Sequence, residues 1–265
     1  VLSRFYSQVL REQSNSDERF AKACKQVAAF FTLWRAALPN TGLDDVYRRL
    51  LKEQISWQKS DSELKNSVLY NHFLEELQNK GIASQDLWKS KANQYLRFDN
   101  AKIVCKFSLF VSAHDTISDP IAPGLMKIAQ PNSYEYIDPI KWTEKDFRSI
   151  EHVAPQSQRN PGDWDQELYS ADDPYELVGN LTLLPTRINS SASNKQWMEK
   201  LLYYRHLAET DPDNLAALRQ EAADNGIPLN ETTLELLKET SHQHHIKPII
   251  RLNATDFSWD REFVN

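Results

Sequence analysis

The sequence predicts a mainly α-helical protein with one short strand–loop–strand–helix segment between helical regions. Three observations predict it. Apolar residues recur at helical spacing over most of 1–130 and again over 211–265. Pro120, Pro123, Pro131 and Pro139, with Gly124, punctuate 114–140 and end the first helical region as a linker. Beyond it the helical period lapses, and two short apolar runs each stop at a proline.

The elements follow in order. Val27, Phe30, Phe31 and Trp34, with Ala28 and Ala29 between them, mark a helix that breaks at Pro39-Asn40-Thr41-Gly42. A second helix starts near Asp44 and runs through Val46, Tyr47 and Leu50 to about Ile55. Others cover Ser62–Lys80, Ser84–Tyr95 and Asp99–Ala113, with Asp61 or Ser62 and Ser84 as N-caps and Gly81 as a stop. These stripes face a core. Phe147 to Val153 reads as a strand ending at Pro155, and 156–176 as a polar loop holding Pro161-Gly162 and Asp172-Asp173-Pro174. Leu177 to Leu184, around Gly179-Asn180, reads as a second strand ending at Pro185. Ile188 through Tyr204 reads as one helix, with Trp197, Leu201 and Tyr204 at i, i+4, i+7. The expected division is a helical region at 1–130, the strand–strand–helix core at 131–210, and a C-terminal helical region at 211–265 packing on that core.

Bulk properties exclude several classes. The 265 residues suit one large domain or two ordinary ones. Hydrophobic residues at 40% are enough for a packed core, so the chain is globular rather than disordered. No apolar run reaches the ~18 residues of a membrane span. Val1-Leu2-Ser3-Arg4-Phe5 has neither an initiator Met nor a signal-peptide layout, which reads as a cut inside a longer protein. Cys24 and Cys105 form no CxxC pattern, which suits free thiols and a cytoplasmic location. A net charge of −6 excludes coating nucleic acid by bulk charge and leaves room for a local basic patch. The six glycines include no P-loop or dinucleotide fingerprint.

Chemistry concentrates at the end of the first strand, where Glu151 and His152 adjoin. A carboxylate is a hard ligand for Mg²⁺ or Mn²⁺, and an imidazole can take a proton from water near neutral pH. Phosphodiester hydrolysis needs both jobs done side by side. Adjacent strand side chains point to opposite faces, so a turn helped by Pro155 has to bring both to one site.

Ile150-Glu151-His152-Val153-Ala154-Pro155-Gln156, then Gly179-Asn180-Leu181-Thr182-Leu183-Leu184, then Asn189 and Ser193-Asn194-Lys195, resembles one branch of the HNH nucleases. That branch is the C-terminal nuclease region of GmrSD-type modification-dependent restriction enzymes and of SspE-like phosphorothioate-dependent defence effectors. Phe31 to Leu38 and Asp45 to Arg49 also resemble the helical region before that nuclease. The resemblance implies a fold that is mainly α with a small ββα-metal (HNH) motif between helical regions. It implies His152 as general base, Glu151 and Asn189 as ligands of one divalent cation, and Asn180 as the catalytic-set Asn that holds the base loop. An all-oxygen donor pair favours Mg²⁺ or Mn²⁺ over Zn²⁺. It further implies DNA as substrate, a role as effector of an antiphage restriction system, and an upstream nucleotide-dependent sensor domain.

Charge placement adds a DNA-contact expectation. From 180 to 206 the basic residues are Arg187, Lys195, Lys200 and Arg205, against the single acid Glu199. Arg187, Asn194 and Lys195 are the expected nucleic-acid contacts. The loop 161–179 carries six acids and no base, and is expected to lie away from the DNA backbone or to gate access. Plainer readings stand beside these: Asn180 as a turn residue, Asn189 as a helix cap, Asn194 and Lys195 as a solvated face. His242, His244 and His245 read as a solvated polar turn, and His114-Asp115 as a helix-end turn. The alternative function is a non-catalytic helical DNA- or partner-docking module that keeps an HNH-like fold.

Overall fold

A computed structural model describes residues 1–11, 14–122, 124–157, 162, 164–227, 229–238, 244–250, 252 and 259–264. Pro123, Pro161 and His242, named above, lie outside the described residues, as does Asp163 of the acidic loop 161–179. Two compact units form, Val1–Val104 and Cys105–Asn265.

The first unit holds helices α1 (Leu2–Val9), α2 (Ser16–Ala37), α3 (Asp44–Arg49), α4 (Asn66–Asn79) and α5 (Gln85–Tyr95), and the start of α6 (Phe98–Ala113). The α2 stripe buries Phe30 and Trp34, and Phe30 stacks on Phe73 of α4 with ring centroids 4.3 Å apart. Phe31 falls off that face, is 40% exposed and lies under the Arg35 guanidinium. Ser84 caps α5 by accepting from the Leu87 N–H.

The second unit starts at Cys105, earlier than the boundary near 130 that the prolines suggest. The reason is local. The expected linker folds as an antiparallel hairpin, β1 (Thr116–Ser118) with β2 (Met126–Ile128), followed by α7 (Pro139–Thr143). His244 ties the hairpin into the unit through the Thr116 carbonyl, at 2.7 Å. Strand β3 (Ser149–His152) pairs antiparallel with β4 (Leu181–Leu184), in the register Ser149↔Leu184, Ile150↔Leu183, Glu151↔Thr182 and His152↔Leu181. The helices α8 (Thr186–Ala192), α9 (Trp197–Ala208), α10 (Pro212–Asp224), α11 (Glu231–Lys238), α12 (Lys247–Ile250) and α13 (Arg261–Val264) follow.

Three expected elements come out differently. The run Leu177 to Leu184 is a strand only from Leu181, because Pro174–Glu176 and Val178–Asn180 form successive 3₁₀ turns. Gly179 is required there, since a Cβ would collide with the Val264 carbonyl oxygen. The single helix expected from Ile188 to Tyr204 is two, broken at Ser193, whose φ is 40°. The histidines described from the C-terminal turn are packed rather than solvated. His244 stacks on Tyr134 at 3.5 Å, and His245 lies within hydrogen-bond distance of the Tyr136 hydroxyl and the Leu183 carbonyl.

One core joins these parts. Val153, Leu168, Leu184, Ile188 and Trp197 pack with Leu201, Tyr204, Ile246, Trp259 and Val264. Residues of 211–265 thus share the core of the β3–β4–α8–α9 segment. No helix among the described residues is long and apolar enough to cross a membrane.

Candidate active site

Strand β3 ends at His152, and the backbone leaving it is fixed by Asn180. This side chain is fully buried and uses every hydrogen-bonding position it has. Its Oδ1 accepts from the Ala154 N–H and from the Trp259 indole N–H, both at 2.8 Å. Its Nδ2 donates to the Ala154 carbonyl at 2.8 Å and to the Tyr175 carbonyl at 2.7 Å. Its own carbonyl accepts from the Val153 N–H at 2.8 Å. Asn180 is therefore a positioning residue, with no side-chain atom left for substrate.

The alternation along β3 parts Glu151 from His152. Glu151 Oε1 accepts from Lys200 Nζ at 2.5 Å, and the same ammonium donates to the His152 carbonyl at 2.7 Å. Glu151 is 3% exposed and Lys200 fully buried. Burial pushes the Glu151 carboxyl up, and the Lys200 charge opposes this. Burial lowers the Lys200 ammonium, and Glu151 opposes that. The Tyr204 hydroxyl is raised well above its ordinary value, first by burial and then by the Glu151 charge. It makes no hydrogen bond of normal geometry, although it lies within the electrostatic reach of that carboxylate.

His152 faces a different carboxylate. Its Nε2 stands 3.4 Å from Glu176 Oε2, and Glu176 Oε1 accepts from Gln156 Nε2 at 2.6 Å. The His152–Glu176 contact is long for a hydrogen bond and short enough for an ion pair once the ring is protonated. Both side chains are buried. The base candidate thus has a carboxylate able to stabilise an imidazolium.

Asn189 joins α8 to the strand pair, its Nδ2 donating to the Ile150 carbonyl at 2.9 Å. Its amide therefore adjoins the Ile150–Glu151 peptide, and its Oδ1 has no partner among the described residues. Glu151 and Asn189 offer hard oxygen donors beside one peptide, which suits Mg²⁺ or Mn²⁺. A cationic group, the Lys200 ammonium, already rests on that carboxylate. A divalent ion about 4 Å from the ammonium would be repelled by about 8 kcal/mol at an effective dielectric of about 20. Glu151 is buried with its Oε1 taken by Lys200, so the two side chains would hold a cation only with the Lys200 charge displaced or balanced by a substrate phosphate. No group of three or more His, Cys, Asp or Glu side chains that could hold a metal occurs among the described residues.

The expected basic patch is broken up by one burial and two ion pairs. Lys200 is buried against Glu151, which removes it as a DNA contact. Lys195 is ion-paired with Glu199 and lies over the Tyr203 ring, and Arg205 pairs with Glu221 at 2.8 Å. Arg187 is exposed on α8, and Asn194 is half-buried in the turn between α8 and α9. The acidic loop is knit into the C-terminal segment, with Asp172 Oδ2 2.6 Å from Arg261 and Asp165 accepting from the Arg261 N–H. One of its acids, Glu176, comes to His152, so the loop borders the candidate base.

A comparison with protein families places this segment. Residues 125–233 match the GmrSD restriction endonucleases, C-terminal domain. No curated protein matches the sequence. The GmrSD match takes in β3, β4, α8 and α9, and with them Glu151, His152, Asn180 and Asn189. The match covers less than half of the chain and is a likeness of that segment. Two residues inside the GmrSD-matched segment escaped the sequence reading. Lys200 falls on the stripe of Trp197, Leu201 and Tyr204, so its position on a buried face was legible from the helical period. Glu176 lay among loop acids with nothing to single it out. Trp259, which completes the Asn180 clamp, is 79 residues from it and outside the matched segment.

Proposed function

We propose that this chain cleaves DNA phosphodiester bonds by metal-assisted hydrolysis of the HNH type, as the effector part of a modification-linked antiphage restriction system. The observation that carries the reading is the placing of His152. It ends a β3–β4 pair, its outgoing loop is clamped by Asn180, and the following helix is tied back to β3 through Asn189.

His152 takes a proton from the attacking water as the water oxygen bonds to phosphorus. Glu176 stabilises the imidazolium that results. The phosphorus–O3′ bond breaks, and the leaving 3′ oxygen ends protonated from solvent. The products are a 5′-phosphate and a 3′-hydroxyl. Glu151 and Asn189 would hold one divalent cation, which when bound neutralises charge on the phosphate and the leaving oxygen. Sensing of modified DNA belongs to a nucleotide-dependent domain upstream.

The Lys200–Glu151 ion pair favours a second reading, a docking module that keeps the fold without the chemistry. A plasmid nicking assay with Mg²⁺ or Mn²⁺ and an EDTA control separates the two. The expected result is metal-dependent nicking that His152→Ala lowers by about 10²–10⁴-fold, with circular dichroism and melting unchanged. A folded His152→Ala protein that nicks like wild type removes His152 as the base. No cleavage by wild type under any metal condition leaves the docking reading.

A further inference from the structure

A cavity of about 440 Å³ opens at the far end of the strand pair from His152, lined by Lys145, Arg148 and Arg187. Arg148 directly precedes β3, and Pro185 to Arg187 directly follow β4, so the Ser149↔Leu184 pair closes this end of the ribbon. All three cations are exposed. Lys145 and Arg148 have no carboxylate partner among the described residues, in contrast to Lys195, Lys200 and Arg205. Among the described residues Asp146 is the one acid on the lining, against three basic residues. A neighbouring cation adds to the field. Lys106 is anchored on the Trp142 carbonyl at 2.9 Å, and its ammonium is lowered by burial first and by the Arg148 charge second.

We infer that this groove holds a phosphate of the DNA backbone, with Lys145 and Arg148 as its anchors beside Arg187. The inference rests on the nuclease reading for its substrate, and it names residues that reading does not use. From Ser149 to His152 the strand advances about 10 Å at ~3.3 Å per residue, so the groove lies only a short stretch of duplex backbone away from His152. Exposed cations without a carboxylate, as Lys145 and Arg148 are, suit this job, because seating DNA on them breaks no internal ion pair.

The test uses the whole chain and a duplex of about 30 base pairs, followed by fluorescence anisotropy at several NaCl concentrations. Lys145→Ala/Arg148→Ala is expected to weaken binding about tenfold at low salt. It should also make the slope of log affinity against log salt shallower by about one to two, at ~0.9 for each phosphate no longer neutralised. The weakening should be the same on unrelated sequences, since phosphate contacts carry no base information. Lys145→Glu/Arg148→Glu should weaken binding further. Unchanged affinity and slope in the alanine variant overturn the groove. So does absence of DNA binding by wild type at low salt, or an equal weakening for a polyglutamate probe, which would point to an acidic protein partner. The two readings fail separately. Cleavage that survives with unchanged binding sinks only the groove, whereas groove-dependent binding without any cleavage sinks only the nuclease.

Discussion

Replacing Lys200 with Met strands a carboxylate in the interior. Glu151 is 3% exposed, and the Lys200 ammonium is its near neighbour at 2.5 Å and also holds the His152 carbonyl. Removing one partner of a buried ion pair costs about 3–5 kcal/mol, because the remaining charge is left without compensation. The broken bond to the His152 carbonyl falls within that figure rather than adding to it. Glu151→Gln in turn strands the ammonium. The double variant Glu151→Gln/Lys200→Met buries no charge, and a Gln at 151 can take up the Tyr204 hydroxyl that now lacks a normal hydrogen bond. The expected cycle is two costly single variants and a milder double, with a coupling of about 2–4 kcal/mol. Urea denaturation at pH 7 with a constant m-value reads it. A coupling below about 0.5 kcal/mol, the range of exposed pairs, would refute the buried-pair argument. The same variants test the proposed cation seat. Mn²⁺ should bind Lys200→Met at least about tenfold tighter than wild type, since like-charge repulsion is gone. Mn²⁺ affinity unaffected by Glu151→Gln in that background would remove Glu151 as a ligand.

Two further outcomes follow from the packing. Asn180→Ala deletes four hydrogen bonds and leaves the Trp259 N–H and the Tyr175 and Ala154 groups unpaired. A destabilisation of about 3–5 kcal/mol is expected by denaturation, from about 1–3 per buried unsatisfied group with partial relaxation, and one under about 1 kcal/mol would refute the clamp. Burial holds His245 down to about 4, against 6.5 ordinarily. The unfolded chain binds a proton below pH 6.5 that the folded chain refuses, so this contribution is complete above 6.5. It declines as pH falls toward 4, by about 3 kcal/mol at most. His245→Asn should flatten stability against pH across that window, and an unchanged slope would reject the assignment.

Some of this was legible in the sequence, and each miss has a physical cause. Strand β3 could be read because a short β-branched and aromatic run meets Pro155. The start of β4 could not, because the turn at Val178–Asn180 depends on Gly179 meeting the Val264 carbonyl, an approach between distant parts of the chain. The α8–α9 break rests on one residue, Ser193, whose positive φ leaves the apolar period undisturbed on either side. The packing of His244 and His245 follows from the Thr116 and Leu183 carbonyls, neither close to them in sequence. Asn180 was marked by resemblance as the loop holder. The saturation of all four of its hydrogen-bonding positions needed Tyr175 and Trp259 brought to it.

Charge shows most clearly why a sequence window and a surface differ. Counting along 180–206 finds four basic residues against one acid and suggests a patch. In space, Glu151 reaches Lys200 from β3, Glu221 reaches Arg205 from α10, and Glu199 takes Lys195 at the start of α9. Lys200 is thereby buried and Lys195 and Arg205 are ion-paired, while Arg187 lies exposed on α8. Lys145 and Arg148 lie outside the counted window, yet the antiparallel pairing returns the chain to them, because Ser149 lies opposite Leu184. The field a phosphate meets is set by where cations stand without a carboxylate partner, as Lys145 and Arg148 do just before β3. With about three cations at the groove, log affinity should fall with log salt at a slope of about −2 to −3 on duplex DNA. A markedly steeper slope would require phosphate contacts beyond this groove.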